Sequence, residues 1–247
     1  MKIVLVGHGK MGKAIETLAT KRGHTIRFIV NEENAATITP QDLKQGDVAI
    51  EFSQPTAAAE NILRCFEAGI PVVSGTTGWN DRLEEVKEIC RKNNHSLFYS
   101  SNFSIGVNVF FEINKKLASL MNHLEQYDEL FVHESHHIHK LDSPSGTAIT
   151  LAEQIIANLD RIKSWRNYKG DENISSGDDD NSELPIFSSR EDEVPGTHIV
   201  KYFSDDDELE IIHKALNRQG FAFGAVAAAE WLQGKKGVFG MQDLLKF

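Results

Sequence analysis

Residues 3–6, IVLV, are an unbroken apolar run, as expected of a strand buried on both faces of a parallel sheet. Three glycines follow, and residues 13–21 then place Ile15, Leu18 and Ala19 at helical spacing. Residues 25–30 predict a second strand, 47–52 a third, 70–74 a fourth and 96–99 a fifth. Between them, 55–68 has the composition of a helix with Pro55 near its first turn, and 81–92 predicts another. Strands alternating with helices at this rhythm imply an α/β fold with a doubly wound sheet.

After residue 105 the rhythm changes. Residues 105–121 read as one long helix, 128–134 as a strand and 147–159 as a helix. Three strand-like runs, 184–189, 198–203 and 208–214, then come without helices between them. They predict a second, α+β domain with a mixed or antiparallel sheet. The alanine-rich stretch 224–233 is helical again and is expected to return to the first domain. The expected division is therefore 1–105 with 216–247, against 106–215. The acidic stretch 169–183 reads as a solvated loop with no chemistry.

Composition narrows the partners. The chain has 247 residues, 40% hydrophobic, with a formal net charge of -10. That balance argues against a nucleic-acid surface or an anionic membrane, though not against a small anion held in a local basic pocket. No stretch approaches the ~18 to 20 apolar residues of a membrane span. No signal peptide is recognisable, and a cytoplasmic protein is expected. Cys65 and Cys90 fall in expected helices and are expected to be reduced and half-buried.

The glycines carry the first chemical signal. GHGKMG, comprising Gly7, His8, Gly9, Lys10, Met11 and Gly12, fits G-x-G-x-x-G between a strand and a helix. Such glycines allow a tight turn, backbone approach to a pyrophosphate, and close packing of helix on strand. The helix N-terminus then offers unpaired N–H groups to the phosphates. Glu32, just past the second strand, is the candidate for the adenine ribose, although Asn31 stands at the strand end. Carboxylates here would repel a 2′-phosphate, so NADH should be tolerated, and Lys10 is the nearest cation that could help NADPH. Gly75, Thr76, Thr77 and Gly78, after the fourth strand, read either as ligand-side turn or as a simple β-turn. Ser100, Ser101 and Asn102, after the fifth, have the same two readings.

Residues 133–140 read HESHHIHK, whose first five letters satisfy H-E-x-x-H. A helical zinc site would need His133 and His137 on one helix face with Glu134 beside the metal. The approach, ELFV, favours a strand instead, and no third ligand stands at a recognised spacing. No metal is expected. His136 and Lys140 share a face whether the segment is extended or helical, making them a candidate proton donor and anion anchor. The stretch SPSGT that follows opens a helix. Its backbone donors and the hydroxyls of Ser145 and Thr147 suit a carboxylate, or one hydroxyl simply caps the helix.

HESHHIHKLDSPSGTA resembles the H-H-x-x-K-x-D-x-P-S-G-T-A signature of the dihydrodipicolinate reductase family. The likeness extends, in order, through GHGKMG, EFSQPT at 51–56, SGTTGW at 74–79, SNFSIGVN at 101–108 and HKALNRQGFAFGA at 213–225. It implies reduction of 4-hydroxy-tetrahydrodipicolinate, a small dicarboxylate, with NADH or NADPH, in the diaminopimelate route to lysine. By the same resemblance His136 is the acid/base group and Lys140 a proton donor. His137, Gly146 and Thr147 hold substrate carboxylates. Gly7 to Gly12, Gly75 to Thr77 and Tyr99 to Asn102 hold the cofactor. A Rossmann-type domain and a substrate domain that assembles a homotetramer through its sheet are implied as well. The chain departs from the family in its short 31–47 segment and in lacking the usual acid-plus-arginine pair at 31–32. Lys10 also stands where arginine is common, and 160–197 is acidic and not obviously family-like.

Overall fold

The computed structural model describes residues 1–170 and 182–247. The described residues divide into two compact units, Met1–Asn108 with Arg218–Phe247, and Val109–Asn217. Both divisions fall two to three residues beyond the expected ones.

The first unit is built on six parallel strands: β1 (Lys2–Val6), β2 (Thr25–Val30), β3 (Val48–Glu51), β4 (Val72–Ser74), β5 (Ser96–Tyr99) and β11 (Gly237–Phe239). Their order is β11-β5-β4-β3-β1-β2. Helix α1 (Lys10–Lys21) and helix α7 (Gln219–Leu232) cover one face, burying Ile15, Ala19, Ala225 and Leu232 against Ile3, Leu5, Ile50 and Phe98. Helices α3 (Pro55–Glu67) and α4 (Asn80–Lys92) cover the other, against Val4, Val6, Ala49 and Leu97. Burial on both faces is why β1, β3 and β4 are near-continuously apolar. The short helix α2 (Pro40–Leu43) starts from a Thr39 capping box, and α8 (Met241–Leu245) closes the chain. Cys65 and Cys90 are fully buried rather than half-buried, because both lie on the sheet-facing sides of α3 and α4. Burial pushes the Cys65 thiol up to about 12.

The second unit holds the greater part of α5 (Ile105–Met121), then β6 (Glu129–His136), α6 (Gly146–Asn158), β7 (Ser164–Lys169), β8 (Glu183–Arg190), β9 (Thr197–Phe203) and β10 (Glu208–Lys214). The sheet order is β10-β9-β6-β8-β7, mixed as expected: β9 is antiparallel to β6 and β10, while β8 is parallel to β6 and β7. Helices α5 and α6 cover one face, packing Leu117, Ala118, Leu151 and Ile155 on Leu130, Val132, Leu184, Ile186, Val200 and Tyr202. The opposite face carries Phe131, Phe187 and Phe203, whose rings meet at 5.6 Å. The core of the acidic 169–183 stretch lies outside the described residues. Its ends are the last residue of β7 and the first of β8.

Candidate active site

In the first unit the glycine loop shows three different uses of glycine. Gly7 has φ +95°, and a Cβ there would fall 2.1 Å from the Phe52 carbonyl oxygen. A Cβ on Gly12 would fall 2.3 Å from the Gly7 carbonyl oxygen, so this glycine lets α1 close on the turn. At Gly9 a Cβ would meet nothing within 4 Å, and Gly9, in extended conformation, is the N-cap of α1. The helix therefore begins three residues before its expected start, with Lys10, Met11 and Gly12 in its first turn. Apolar periodicity begins only at Ile15, and Gly12 reads locally as a breaker.

A pocket of about 750 Å³ opens above this loop, lined by Gly7, His8, Gly9, Asn31, Glu32 and Ser53 among others. Glu32 lies one residue past Asn31, whose side chain turns the backbone by accepting from the N–H groups of Glu33 and Asn34. Gln54 donates to Glu32 at 3.1 Å. The cation on the lining is Lys13, not Lys10: one helical turn separates the two, and Lys10 is exposed. Met11 packs into the core instead of facing the pocket. Thr76 is buried and donates to Glu51, which also accepts from Ser53 and Ser74; that cluster ties the ends of β3 and β4 together. Tyr99 stacks edge-on against Trp79, and Ser100 bonds the Asn102 backbone. Gly75, Thr76, Thr77 and residues 99–102 are not on the lining of this pocket. The open backbone at Gly9 above a helix N-terminus fits a dinucleotide pyrophosphate.

The second unit has its polar cluster at one end of the helix-covered sheet face. Along β6 the residues on that face are Leu130, Val132, Glu134 and His136; along β8 they are Leu184, Ile186, Ser188 and Arg190. On β9 they are Tyr202, Val200 and His198, with Gly196 just before the strand. In each strand the apolar pair lies in the core and the polar residues lie beyond it. Register pairs Glu134 with Ser188 and with His198, and His136 with Arg190.

Glu134 is completely buried. Its Oε1 accepts from the Ser145 N–H at 3.1 Å and from Arg190 Nη2 at 3.1 Å. Its Oε2 lies 3.3 Å from His136 Nε2 and 3.9 Å from His198 Nε2. Burial works to raise this carboxyl's pKa, but the contacts with His136, Ser145 and Ser188 outweigh it and hold the group well below the usual carboxylate range. His198 is pushed down to about 3, first by burial and then by the facing His136, so it is a neutral imidazole. His136 Nε2 is 3.3 Å from His198 Nε2. A Cβ on Gly196, which has φ +151°, would fall 2.8 Å from His136 Cε1; the glycine leaves room for the ring.

The segment after His136 is neither extended nor helical. It turns, with the Lys140 N–H bonded to the His137 carbonyl at 3.0 Å. The periodicity that put His136 and Lys140 on one face therefore does not apply. Arg190 holds the turn from outside, donating to the carbonyls of Lys140 and Asp142. Lys140 Nζ grips both oxygens of Asp142, at 2.9 and 2.7 Å. Since His133 lies in β6 and His137 in the turn, the helical H-E-x-x-H geometry is absent. Ser145 is the N-cap of α6: it accepts from the Ala148 N–H at 3.2 Å and lies 3.0 Å from His198 Nε2. Its hydroxyl is buried and committed to these partners. Gly146, by contrast, opens the first turn of α6, where a Cβ would meet nothing within 4 Å. His198, Arg190 and Gly196 are absent from the sequence expectations.

A family profile described as "Dihydrodipicolinate reductase, N-terminus" matches residues 1–103, and "Dihydrodipicolinate reductase, C-terminus" matches 106–245. The chain belongs to the dihydrodipicolinate reductase family. A 4-hydroxy-tetrahydrodipicolinate reductase of Christiangramia forsetii is 49% identical over 247 residues, covering 99% of this chain and 98% of that one. The enzyme of the same name from Neisseria meningitidis serogroup B is 36% identical over 203 residues, covering 82% and 74%. The dipicolinate-bound dihydrodipicolinate reductase of Paenisporosarcina sp. TG-14 superposes with TM-score 0.75 over 98% of both chains at 20% identity, a likeness of fold. As a member of this reductase family the protein is an oxidoreductase with a pyridine-nucleotide-binding first domain. None of its described helices is long and apolar enough to cross a membrane.

Proposed function

We propose that the protein reduces 4-hydroxy-tetrahydrodipicolinate to tetrahydrodipicolinate in the diaminopimelate route of lysine biosynthesis. A hydride and a proton enter and water leaves. The observation that carries this reading is the setting of His136: an imidazole ring fixed against a buried carboxylate and the His198 ring, within a family of reductases of this substrate. The nucleotide supplies the hydride when bound, and Gly7, His8, Gly9 and Glu32 are the residues placed to hold it.

The chain's own groups do the rest. His136 delivers or accepts the proton, and Lys140, steadied by Asp142, supplies a second donor. Gly146 and Thr147 at the start of α6, with His137, seat the carboxylates, because a helix N-terminus turns its first N–H groups and the positive end of its dipole toward an anion. Ser145 supports that seat as its cap. The remaining cofactor assignments, Gly75 to Thr77 and Tyr99 to Asn102, stand as proposed contacts of the bound nucleotide.

The direct test is oxidation of NADH by the purified protein given freshly generated 4-hydroxy-tetrahydrodipicolinate. Steady turnover is expected; NADH binding without turnover would overturn the reading in favour of a nucleotide sensor. We further propose a preference for NADH. Glu32 and Glu33 both line the pocket, opposed by Lys13, and would repel a 2′-phosphate. kcat/KM should favour NADH over NADPH by about tenfold, equivalent to ~1.4 kcal/mol, and Glu32→Ala should narrow the ratio.

A further inference from the structure

Glu134, His136 and His198 form a second pattern that the proton-transfer reading does not use up. Among the described residues they are a group of three whose ligand atoms all lie within 4.8 Å of one another. The three edges are 3.3 Å from Glu134 Oε2 to His136 Nε2, 3.3 Å between the two histidine Nε2 atoms, and 3.9 Å from Glu134 Oε2 to His198 Nε2. In a tetrahedral zinc site with bonds of ~2.1 Å, the donor atoms lie ~3.4 Å apart. Two edges match that spacing and the third exceeds it by a side-chain adjustment.

The surroundings point the same way. Glu134 Oε2 is buried and, among the described residues, makes no hydrogen bond of good geometry, facing only the two histidine Nε2 atoms, whereas Oε1 is engaged by Ser145 and Arg190. Arg190 opposes a cation, yet it sits on the far oxygen; the Lys140 ammonium is matched by Asp142. The two facing imidazole nitrogens and the carboxylate oxygen converge on one point, which an N–H hydrogen of one ring or a metal ion can occupy; the Ser145 hydroxyl, 3.0 Å from His198 Nε2, would turn aside to free that lone pair for a metal. The donor set, two histidines and one glutamate, suits a borderline ion such as Zn²⁺ and not a hard ion such as Mg²⁺, which prefers an octahedron of oxygens. This set is distinct from the H-E-x-x-H match, with which it shares only Glu134.

We propose that Glu134 Oε2, His136 Nε2 and His198 Nε2 form an inhibitory Zn²⁺ site. The ion takes the Nε2 lone pair that His136 would use for proton transfer, and leaves a fourth position open. Binding follows from the geometry alone; the inhibition rests on the proposed reductase activity.

The test is titration of the tag-free, chelator-stripped full chain with Zn²⁺ against a chromophoric competitor, alongside NADH oxidation. One equivalent should bind, Mg²⁺ should not compete, and turnover should fall with occupancy and return on adding chelator. His198→Asn and His136→Asn should each weaken binding at least ~100-fold, since each removes a ligand. Exposed His139→Asn should leave it unchanged. Circular dichroism would confirm that the variants fold. Absence of a stoichiometric site, or wild-type affinity in both folded ligand variants, would overturn the proposal. So would Zn²⁺ bound at one equivalent with turnover unaffected. A protein that binds Zn²⁺ as described yet never oxidises NADH would support the site and refute the reductase reading.

Discussion

His136 is held by what lies around it more than by its own strand. Glu134 stands two residues earlier on the same face, His198 faces it from β9, and Gly196 clears the space its ring occupies. Filling that space is therefore a sharp test of whether ring placement matters. Gly196→Ala would press a methyl group to 2.8 Å from Cε1, and a displacement of about an ångström can cost ~100-fold in rate. We expect kcat to fall by about 10- to 100-fold while KM for NADH stays put; a wild-type kcat in the folded variant would count against the assignment. How far this was legible in the sequence varies by residue. His136 and Lys140 stand in one contiguous motif and are found by reading it. His198 and Arg190 reach the site from 62 and 56 residues away in sequence, and only strand register brings them in. One usable signal was present: an alternating strand, Leu130, Val132, Glu134, His136, whose buried face turns from apolar to charged.

At the scale of elements, the long apolar and amphipathic segments were readable because burial dictates their composition. β1, β3 and β4 are sandwiched between helices and read as apolar runs; β5 was placed with its observed bounds. The segments that escaped, α2, β7, β11 and α8, are three to six residues long. β7, SWRNYK, buries only Tyr168 fully, so its side chains carry little periodic signal. The return of α7 was expected, but not its fastening. Gly224 lets α7 touch the chain at Phe103, where a Cβ would fall 1.8 Å from the carbonyl oxygen. Glu230 accepts from Arg22 at 2.9 and 2.8 Å and pairs with His24 at 2.7 Å. The hydrogen bonds from Arg22 lead in holding Glu230 below its ordinary 4.5, with burial opposing and His24 assisting. A depressed carboxyl stabilises the fold above its unfolded value and loses that contribution as pH falls. Because the pair is about a third exposed, the effect is about 1 kcal/mol or less. Glu230→Gln should lower the thermal midpoint at neutral pH, and the gap to wild type should close below pH ~4.5. A gap that persists in acid would show that packing, not charge, fastens the helix.

For the whole molecule, one unit carries the pocket above the glycine loop and the other the histidine cluster. The open face of the second sheet carries Phe131, Phe187 and Phe203, with Ile212 55% exposed beside them. We propose that this face assembles the homotetramer the family resemblance implies. Light scattering should give four chains per particle, and Ile212→Lys should reduce it; a monomeric wild type would remove the proposal. The central claim is that His136 moves the proton while the first unit binds the nucleotide independently. It is tested most directly by steady-state NADH oxidation with 4-hydroxy-tetrahydrodipicolinate in His136→Ala and Lys140→Ala, set beside NADH binding by the same proteins. The account requires kcat to drop by at least ~100-fold in His136→Ala, with a clear loss in Lys140→Ala and unchanged affinity for NADH in both. Near-normal kcat in both variants would contradict it.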